Sequence, residues 1–156
     1  MKIREADLNG LLMIEPDVFH DERGYFLETW TMERYSDAGI RYDFVQDNLS
    51  FSKKGVLRGL HFQNPHAQGK LVSVLFGEVF DVAVDIRRSS PTFGQWRGEY
   101  LSSENKRQIY LPPGFAHGFV VISDIALLAY KCTEYYDRAS EKTVRWNDPE
   151  KDELFL

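Results

Sequence analysis

The segments GVLRGLHFQ (residues 55–63) and PPGFAHGF (residues 112–119) each carry one histidine, His61 and His117, in a short apolar stretch bounded by Gly or Pro. Such stretches are typical of strands. Lys70 follows His61 by nine residues. Two imidazoles beside an ammonium group make a poor divalent-metal site, because stable sites need about three or four neutral or anionic ligands. They suit a metal-free acid–base site, in which a His takes a proton and a Lys stabilises the resulting anion.

Both segments resemble the metal-binding motifs of cupins, HxH with a following Glu and PxGxxH, with half of the ligands replaced. His61-Phe62-Gln63 has Gln at the second His position, and Lys70 lies near the position of the Glu. The resemblance implies an all-β double-stranded β-helix (jelly roll) with a ligand at its mouth. We therefore expect no bound metal and no cofactor.

The remaining pattern also predicts strands. Residues 80–87, FDVAVDIR, alternate with period two, and residues 108–112 and 126–136 are predicted strands. Gly77-Glu78, between two apolar runs, predicts a hairpin. One segment, 31–39, predicts a helix that Thr31 caps and Gly39 ends. Many strands with one or two short helices are typical of a β-sandwich or small barrel.

Length and composition narrow the function classes. The 156 residues are predicted to form one domain, 1–156. The net charge of −5 argues against nucleic-acid binding, since phosphate-backbone binders normally carry a basic face. A single cysteine, Cys132, excludes an intramolecular disulfide and fits a reducing compartment, where we expect a structural role for it. No apolar run is long enough for a membrane span, so we expect a cytoplasmic protein with no membrane partner.

A series of separated motifs gives a more specific resemblance. In chain order they are FxDxRGxFxE (19–28), QDNxSxS (46–52), VLRGLHFQ (56–63), SPTFGQW (90–96), LSxENKRQ (101–108), PPGFAHGF (112–119) and YKCTEYY (130–136). Together they closely resemble the dTDP-4-dehydrorhamnose 3,5-epimerase family, from about residue 10 to Trp146.

The resemblance implies a role for each site residue. His61 would be the general base, Tyr130 the general acid, and Lys70 the group that stabilises the enolate oxygen. Arg23 and Phe26 would reach across the interface of a homodimer, where the guanidinium fork of Arg23 suits phosphate. The substrate-binding set implied is Arg23, Phe26, Glu28, Gln46, Asn48, Arg58, His117, Tyr136 and Glu141.

The implied reaction needs no redox or metal cofactor. In dTDP-4-dehydro-6-deoxy-D-glucose, the hydrogens at C3 and C5 both lie next to the C4 carbonyl, so removal of either gives an enolate. Reprotonation on the opposite face inverts the centre and leads to dTDP-4-dehydro-L-rhamnose, an intermediate of dTDP-rhamnose biosynthesis. Inversion at C3, at C5 or at both stays open, as does the identity of the nucleotide.

Period two raises an objection to this site. In a regular strand, Arg58 points to one face and His61 to the other, so they could not share a pocket. A bulge at Gly59 would bring them together, and Gly inside a strand often accompanies one.

Alternatives remain at the level of function. A metal-dependent cupin oxygenase is disfavoured by the broken ligand set. A non-catalytic nucleotide-sugar binding module, or a 3- or 5-mono-epimerase or ketoisomerase of the same fold, stays open. In the family that the motifs resemble, members continue further and carry a Lys-Asp pair whose Asp orients the catalytic His. We expect this chain to be shortened at its C-terminus, so Asp152, Asp81 and Asp85 are all candidates for that role.

Overall fold

The structure is a computed structural model, and it describes residues 1–146. Within that range the chain forms one short helix, α1, and thirteen strands. In chain order these elements are β1 (Lys2–Glu5), β2 (Leu12–Glu15), β3 (Val18–Asp21), β4 (Gly24–Leu27), α1 (Met32–Asp37), β5 (Gln46–Lys53), β6 (Leu57–Gln63), β7 (Lys70–Phe76), β8 (Glu78–Asp85), β9 (Trp96–Ser102), β10 (Gln108–Leu111), β11 (Phe115–Val121), β12 (Ile125–Cys132) and β13 (Glu141–Thr143).

The strands form two antiparallel sheets and a separate hairpin. One sheet has six strands in the order β1-β2-β10-β7-β12-β5, and the other has five in the order β13-β6-β11-β8-β9. Strands β3 and β4 pair only with each other among the described residues. The largest apolar cluster contains side chains of both sheets, such as Val72, Leu128, Ala83 and Phe119. The predicted all-β jelly roll is confirmed.

The predicted hairpin at Gly77-Glu78 is wrong. β7 pairs with β10 and β12, whereas β8 pairs with β11 and β9, so the chain crosses from one sheet to the other at Gly77. Gly77 has a φ of +80°, and a Cβ there would lie 2.1 Å from the carbonyl oxygen of Ile125. An alternating pattern cannot distinguish this crossing from a hairpin, because both strands bury one face in the same core.

The helix is shorter than predicted. It covers Met32–Asp37, and Gly39 follows it with a φ of +100°, as expected of a residue that ends a helix. Thr31 stands at the N-cap, but its side chain forms no cap hydrogen bond and instead donates to Glu28 Oε1 at 3.2 Å. The helix packs on the six-stranded sheet through buried Tyr35, whose pKa burial raises to about 12.

Two further predictions concern single features. Cys132 is a buried free thiol at the end of β12, in keeping with a structural role. Within residues 1–146, no helix has the length and apolar character needed to cross a membrane.

Candidate active site

Strand β6 contains the bulge that the sequence predicts at Gly59. His61 is opposite His117 on β11, but Arg58 is opposite Phe119, so three steps along β6 match two along β11. Gly59 lies in this irregular part with a φ of +125°, and a Cβ there would lie 2.4 Å from the Cα of Gly118. Only glycine accommodates both the backbone conformation and the close approach. Arg58 and His61 consequently line the same pocket.

The pocket lies between the two sheets as two adjoining cavities of about 220 and 490 Å³. His61, Lys70 and Tyr130 line both cavities. His61 comes from the five-stranded sheet, and the other two residues come from the six-stranded sheet. The first cavity is also lined by Gln46, Asn48, Phe62, Gln63, Gln68, Tyr136 and Glu141. The second cavity is also lined by Ser50, Leu57, Arg58, Gly59, His117, Gly118 and Phe119.

His61 has an environment that suits a base. Burial lowers its pKa below the ordinary value of 6.5. Lys70, His117 and Arg58 lower this pKa further through their charges, and Glu141 opposes them. The imidazole is therefore neutral at neutral pH, and a general base must start in that form.

Lys70 begins β7 and is half-buried. Burial lowers the pKa of its ammonium group, while Cys132, Asp81 and Glu141 act in the opposite direction. An ammonium group held in a desolvated pocket interacts more strongly with a developing anion than one in water does.

Tyr130 lies on β12 between Asn48 of β5 and Val72 of β7. Burial raises the pKa of its hydroxyl above 10, so the side chain keeps its proton at neutral pH. It can therefore donate a proton from the side of the pocket that faces His61.

A chain of hydrogen bonds orders one edge of the pocket. Gln46 Nε2 donates to Asn48 Oδ1 at 3.0 Å, and the backbone N–H of Tyr136 donates to Gln46 Oε1 at 2.8 Å. The Tyr136 hydroxyl donates to Glu141 Oε2 at 2.9 Å. Four residues implied by the family resemblance therefore form one connected group, although they come from three separate segments.

Gln63 has a structural task that the sequence did not reveal. Its Nε2 donates to the carbonyl oxygens of His66 and Tyr135, at 2.7 and 3.1 Å, and its Oε1 accepts from the backbone N–H of Asp137. The Gln63 amide, at the position of the second His in the cupin motif, thus fixes by hydrogen bonds the segment that carries Tyr136. Gln68 helps, because its Nε2 donates to the carbonyl oxygen of Glu134 at 2.8 Å. In the sequence, the only indication of this role was that Gln63 replaces a metal-binding His of the cupin motif.

Of the three carboxylates predicted as candidates for orienting His61, the two that the structure describes have other partners. Asp81 Oδ2 lies 2.8 Å from Nε2 of His117 rather than bonding to His61. Asp85 accepts hydrogen bonds from Arg87, Ser90 and Thr92. The third candidate, Asp152, lies outside the described residues.

Arg58 and His117 line the second cavity, as expected for groups that meet an anionic part of the substrate. Arg58 is exposed, and its Nε donates to Ser52 Oγ at 2.9 Å. One Nη also donates to the carbonyl oxygen of Phe51 at 3.4 Å, which leaves three of the five guanidinium N–H groups for a phosphate.

Three predicted binding residues do not line the pocket of their own chain. Arg23 lies between β3 and β4 with 90% of its side chain exposed, paired with Asp21. Phe26 is 70% exposed on β4. Glu28 pairs with Arg34 at 3.3 Å and accepts from Thr31. Their contribution to a partner's site stays a prediction.

Among residues 1–146, no three His, Cys, Asp or Glu side chains lie close enough together to hold a metal ion. The ring nitrogen Nε2 of His117 bonds to a carboxylate, and the ammonium group of Lys70 stands beside His61. The charge of Lys70 would repel a divalent cation at this position.

Comparison with known proteins identifies relatives of this chain. The family model for dTDP-4-dehydrorhamnose 3,5-epimerase matches residues 5–152. The epimerase of that name from Salmonella typhimurium is 58% identical over 150 residues, which are 95% of this chain and 82% of the relative. The one from Methanothermobacter thermautotrophicus is 51% identical over 146 residues, covering 94% and 79% of the two chains.

Among solved structures, a 3,5-epimerase from Legionella pneumophila in complex with dTDP-4-keto-L-rhamnose superimposes with a TM-score of 0.92. It is 58% identical, and the match covers 95% of this chain and 79% of that one. A family model that matches nearly the whole described chain, together with relatives above 50% identity, identifies the chain as a member of the dTDP-4-dehydrorhamnose 3,5-epimerase family, whose enzymes are isomerases.

Proposed function

We propose that this protein is a cofactor-independent epimerase that converts dTDP-4-dehydro-6-deoxy-D-glucose to dTDP-4-dehydro-L-rhamnose by inverting C3 and C5, in dTDP-rhamnose biosynthesis. One observation carries the proposal: His61 and Tyr130 line the same pocket from opposite sheets, with Lys70 beside them. The names of the relatives support the same reaction.

The proposed chemistry is a proton transfer on each side of the sugar. Neutral His61 takes the hydrogen next to the C4 carbonyl, the C–H electron pair moves toward the carbonyl oxygen, and the ammonium group of Lys70 stabilises the enolate. Tyr130 then donates its proton to the carbon from the opposite face, which inverts it. Positioned acid–base catalysis contributes about 10²–10⁴-fold, and a group that stabilises the oxyanion about 10²–10³-fold.

The rest of the pocket supports a nucleotide-sugar substrate. The hydrogen-bonded group of Gln46, Asn48, Tyr136 and Glu141 offers donors and acceptors to a sugar or base ring. Arg58 and His117, in the second cavity, are suited to the diphosphate.

We also propose a homodimer in which the β3–β4 hairpin of each chain completes the partner's site with Arg23, Phe26 and Glu28. The hairpin exposes Phe19, Tyr25 and Phe26, which are 63%, 53% and 70% accessible in the single chain. Strand β5 is an edge strand with exposed Leu49 and Phe51. Exposed apolar residues on an edge strand need a cover, which a second chain would provide.

A binding module without catalysis is the second candidate. It is favoured by one observation: among residues 1–146, no carboxylate forms a hydrogen bond with His61 to orient its ring. A catalytic His usually has such a partner.

Proton NMR of the substrate with the protein in D₂O separates these candidates. We expect deuterium to enter at C3 and C5 with formation of the inverted product, and His61→Asn to abolish both while nucleotide binding is largely retained. Tight binding of the substrate by the wild-type protein, without any exchange, would contradict the enzyme and favour the binding module. Exchange at a single carbon would indicate a mono-epimerase.

A further inference from the structure

Asp81 is one of two fully buried carboxylates on β8. It lies on β8 between Val79 and Ala83, and none of its surface is exposed. Its Oδ2 is 2.8 Å from His117 Nε2, whereas its Oδ1 is buried without a hydrogen-bond partner among the described residues. A buried carboxylate with only one bonded oxygen lowers the stability of the fold. The structure therefore suggests that Asp81 is present for a functional reason.

We infer that Asp81 is a positioning residue of the active site, which fixes the ring of His117 and places a buried carboxylate behind the cavity that His117 and Lys70 share. This inference rests on the proposed epimerase function and adds to it a buried carboxylate that acts through His117.

The bond to His117 links the tautomer of its ring to the charge of Asp81. In the proposed arrangement Asp81 is a carboxylate, which only accepts hydrogen bonds, so the proton of the imidazole is on Nε2. The nitrogen left for a substrate is therefore Nδ1, on a residue that stands opposite His61 across β6 and β11. Without Asp81 the ring could rotate or exchange its tautomer, because the described residues offer His117 no second side-chain hydrogen bond.

Lys70 is surrounded by groups from several strands. His61 of β6 and Glu141 of β13 line the same cavity as Lys70, and Cys132 of β12 is opposite it in the sheet. Asp81 of β8 lies behind this site, bonded to His117, which lines the second cavity together with Lys70. Burial raises the pKa of the Cys132 thiol, so that group is neutral at neutral pH. Two carboxylates then remain to balance the ammonium charge.

These two carboxylates differ in environment. Glu141 is exposed and bonds to the hydroxyl of Tyr136, whereas Asp81 is fully buried. A charge away from water is screened less. At the same distance, the charge of Asp81 therefore raises the pKa of Lys70 more than the charge of Glu141 does. Asp81 therefore opposes the desolvation that lowers the pKa of Lys70.

The chain provides a matched control on the same strand. Asp85 is equally buried, four residues further along β8, but it bonds to Arg87, Ser90 and Thr92, none of which lines the pocket, whereas Asp81 bonds to His117, which does. Asp85→Asn should lower thermal stability without altering Lys70 or His117. Asp81→Asn keeps the size and an acceptor oxygen but loses the charge, and Asp81→Leu loses both.

The experiment combines NMR titration with kinetics. In Asp81→Asn we expect the pKa of Lys70, followed by ¹³Cε chemical shift, to fall by about one unit or more. The alkaline limb of kcat should move down in pH with it, and kcat should fall about tenfold or more while KM changes little. The ¹⁵N spectrum of His117 should keep the Nε2–H tautomer in Asp81→Asn and lose it in Asp81→Leu.

Three results would overturn the inference: an unchanged Lys70 titration in Asp81→Asn, an equal change in Asp85→Asn, or an Nδ1–H tautomer of His117 in the wild-type protein. The tautomer of His117 is measured in the wild-type protein, so this result tests the inference even if the substituted proteins do not fold. A wild-type protein without turnover counts against the proposed function alone, because the NMR titrations still measure what Asp81 does.

Discussion

At the scale of single residues, the charges around His61 determine the pH at which the site works. Burial and the neighbouring groups Lys70, His117 and Arg58 lower its pKa, and Glu141 is the group that raises it. The base is active when neutral, so a lowered pKa keeps it active to lower pH. Activity should be lost only as the pH falls through a value below 6.5.

Glu141→Gln tests this balance. Loss of the carboxylate removes the influence that raises the pKa of His61, so the acid limb of kcat/KM should move to still lower pH. KM should rise as well, because Tyr136 loses its charged partner. Glu99→Gln, which removes an acid paired with Arg97 outside the pocket, should leave the limb in place. A limb that moves to higher pH in Glu141→Gln would refute this description of the site.

At the scale of elements, the bulge in β6 brings the site together. Gly59→Ala should lower the midpoint of thermal unfolding and abolish turnover, because its Cβ would lie 2.4 Å from the Cα of Gly118 and its φ is +125°. Strain of this kind costs about 1–3 kcal/mol before the clash is counted. Gly24→Ala is the control: its φ of +133° gives similar strain, but a Cβ there has no atom within 4 Å. Equal losses in circular-dichroism melts of the two variants would show that the close approach to Gly118 is unimportant.

The elements also show what the sequence can and cannot predict. The bulge was predictable, because a strand that carries both Arg58 and His61 into one pocket needs an extra residue, and Gly59 allows it. The crossing at Gly77 was not, since period two reports a buried face but not which sheet a strand joins. The hydrogen bond between Asp81 and His117 was equally unpredictable from the sequence. It depends on the alignment of β8 with β11, which opposes Asp81 to Phe119 and brings its carboxylate to His117.

At the scale of the whole molecule, the proposed dimer predicts that inactive variants rescue each other. His61→Asn damages the site of its own chain, whereas Arg23→Ala would damage the partner's site. A mixed dimer would then hold one site with both defects and one with neither. After mixing and reassociation, about one quarter of all sites should be intact, and activity should return to that level. Two variants that stay inactive when mixed, although exchange of subunits is verified, would exclude shared sites.

The central claim is that acid and base act from opposite sheets, and Tyr130→Phe tests it most directly. Phe keeps the ring and its packing but lacks the hydroxyl. In D₂O, the account predicts that His61 still forms the enolate and returns deuterium from its own side. Exchange then continues with retained configuration, while inverted product falls by about 10²–10⁴-fold. Inversion at an undiminished rate in this variant would contradict the account and remove Tyr130 from the mechanism.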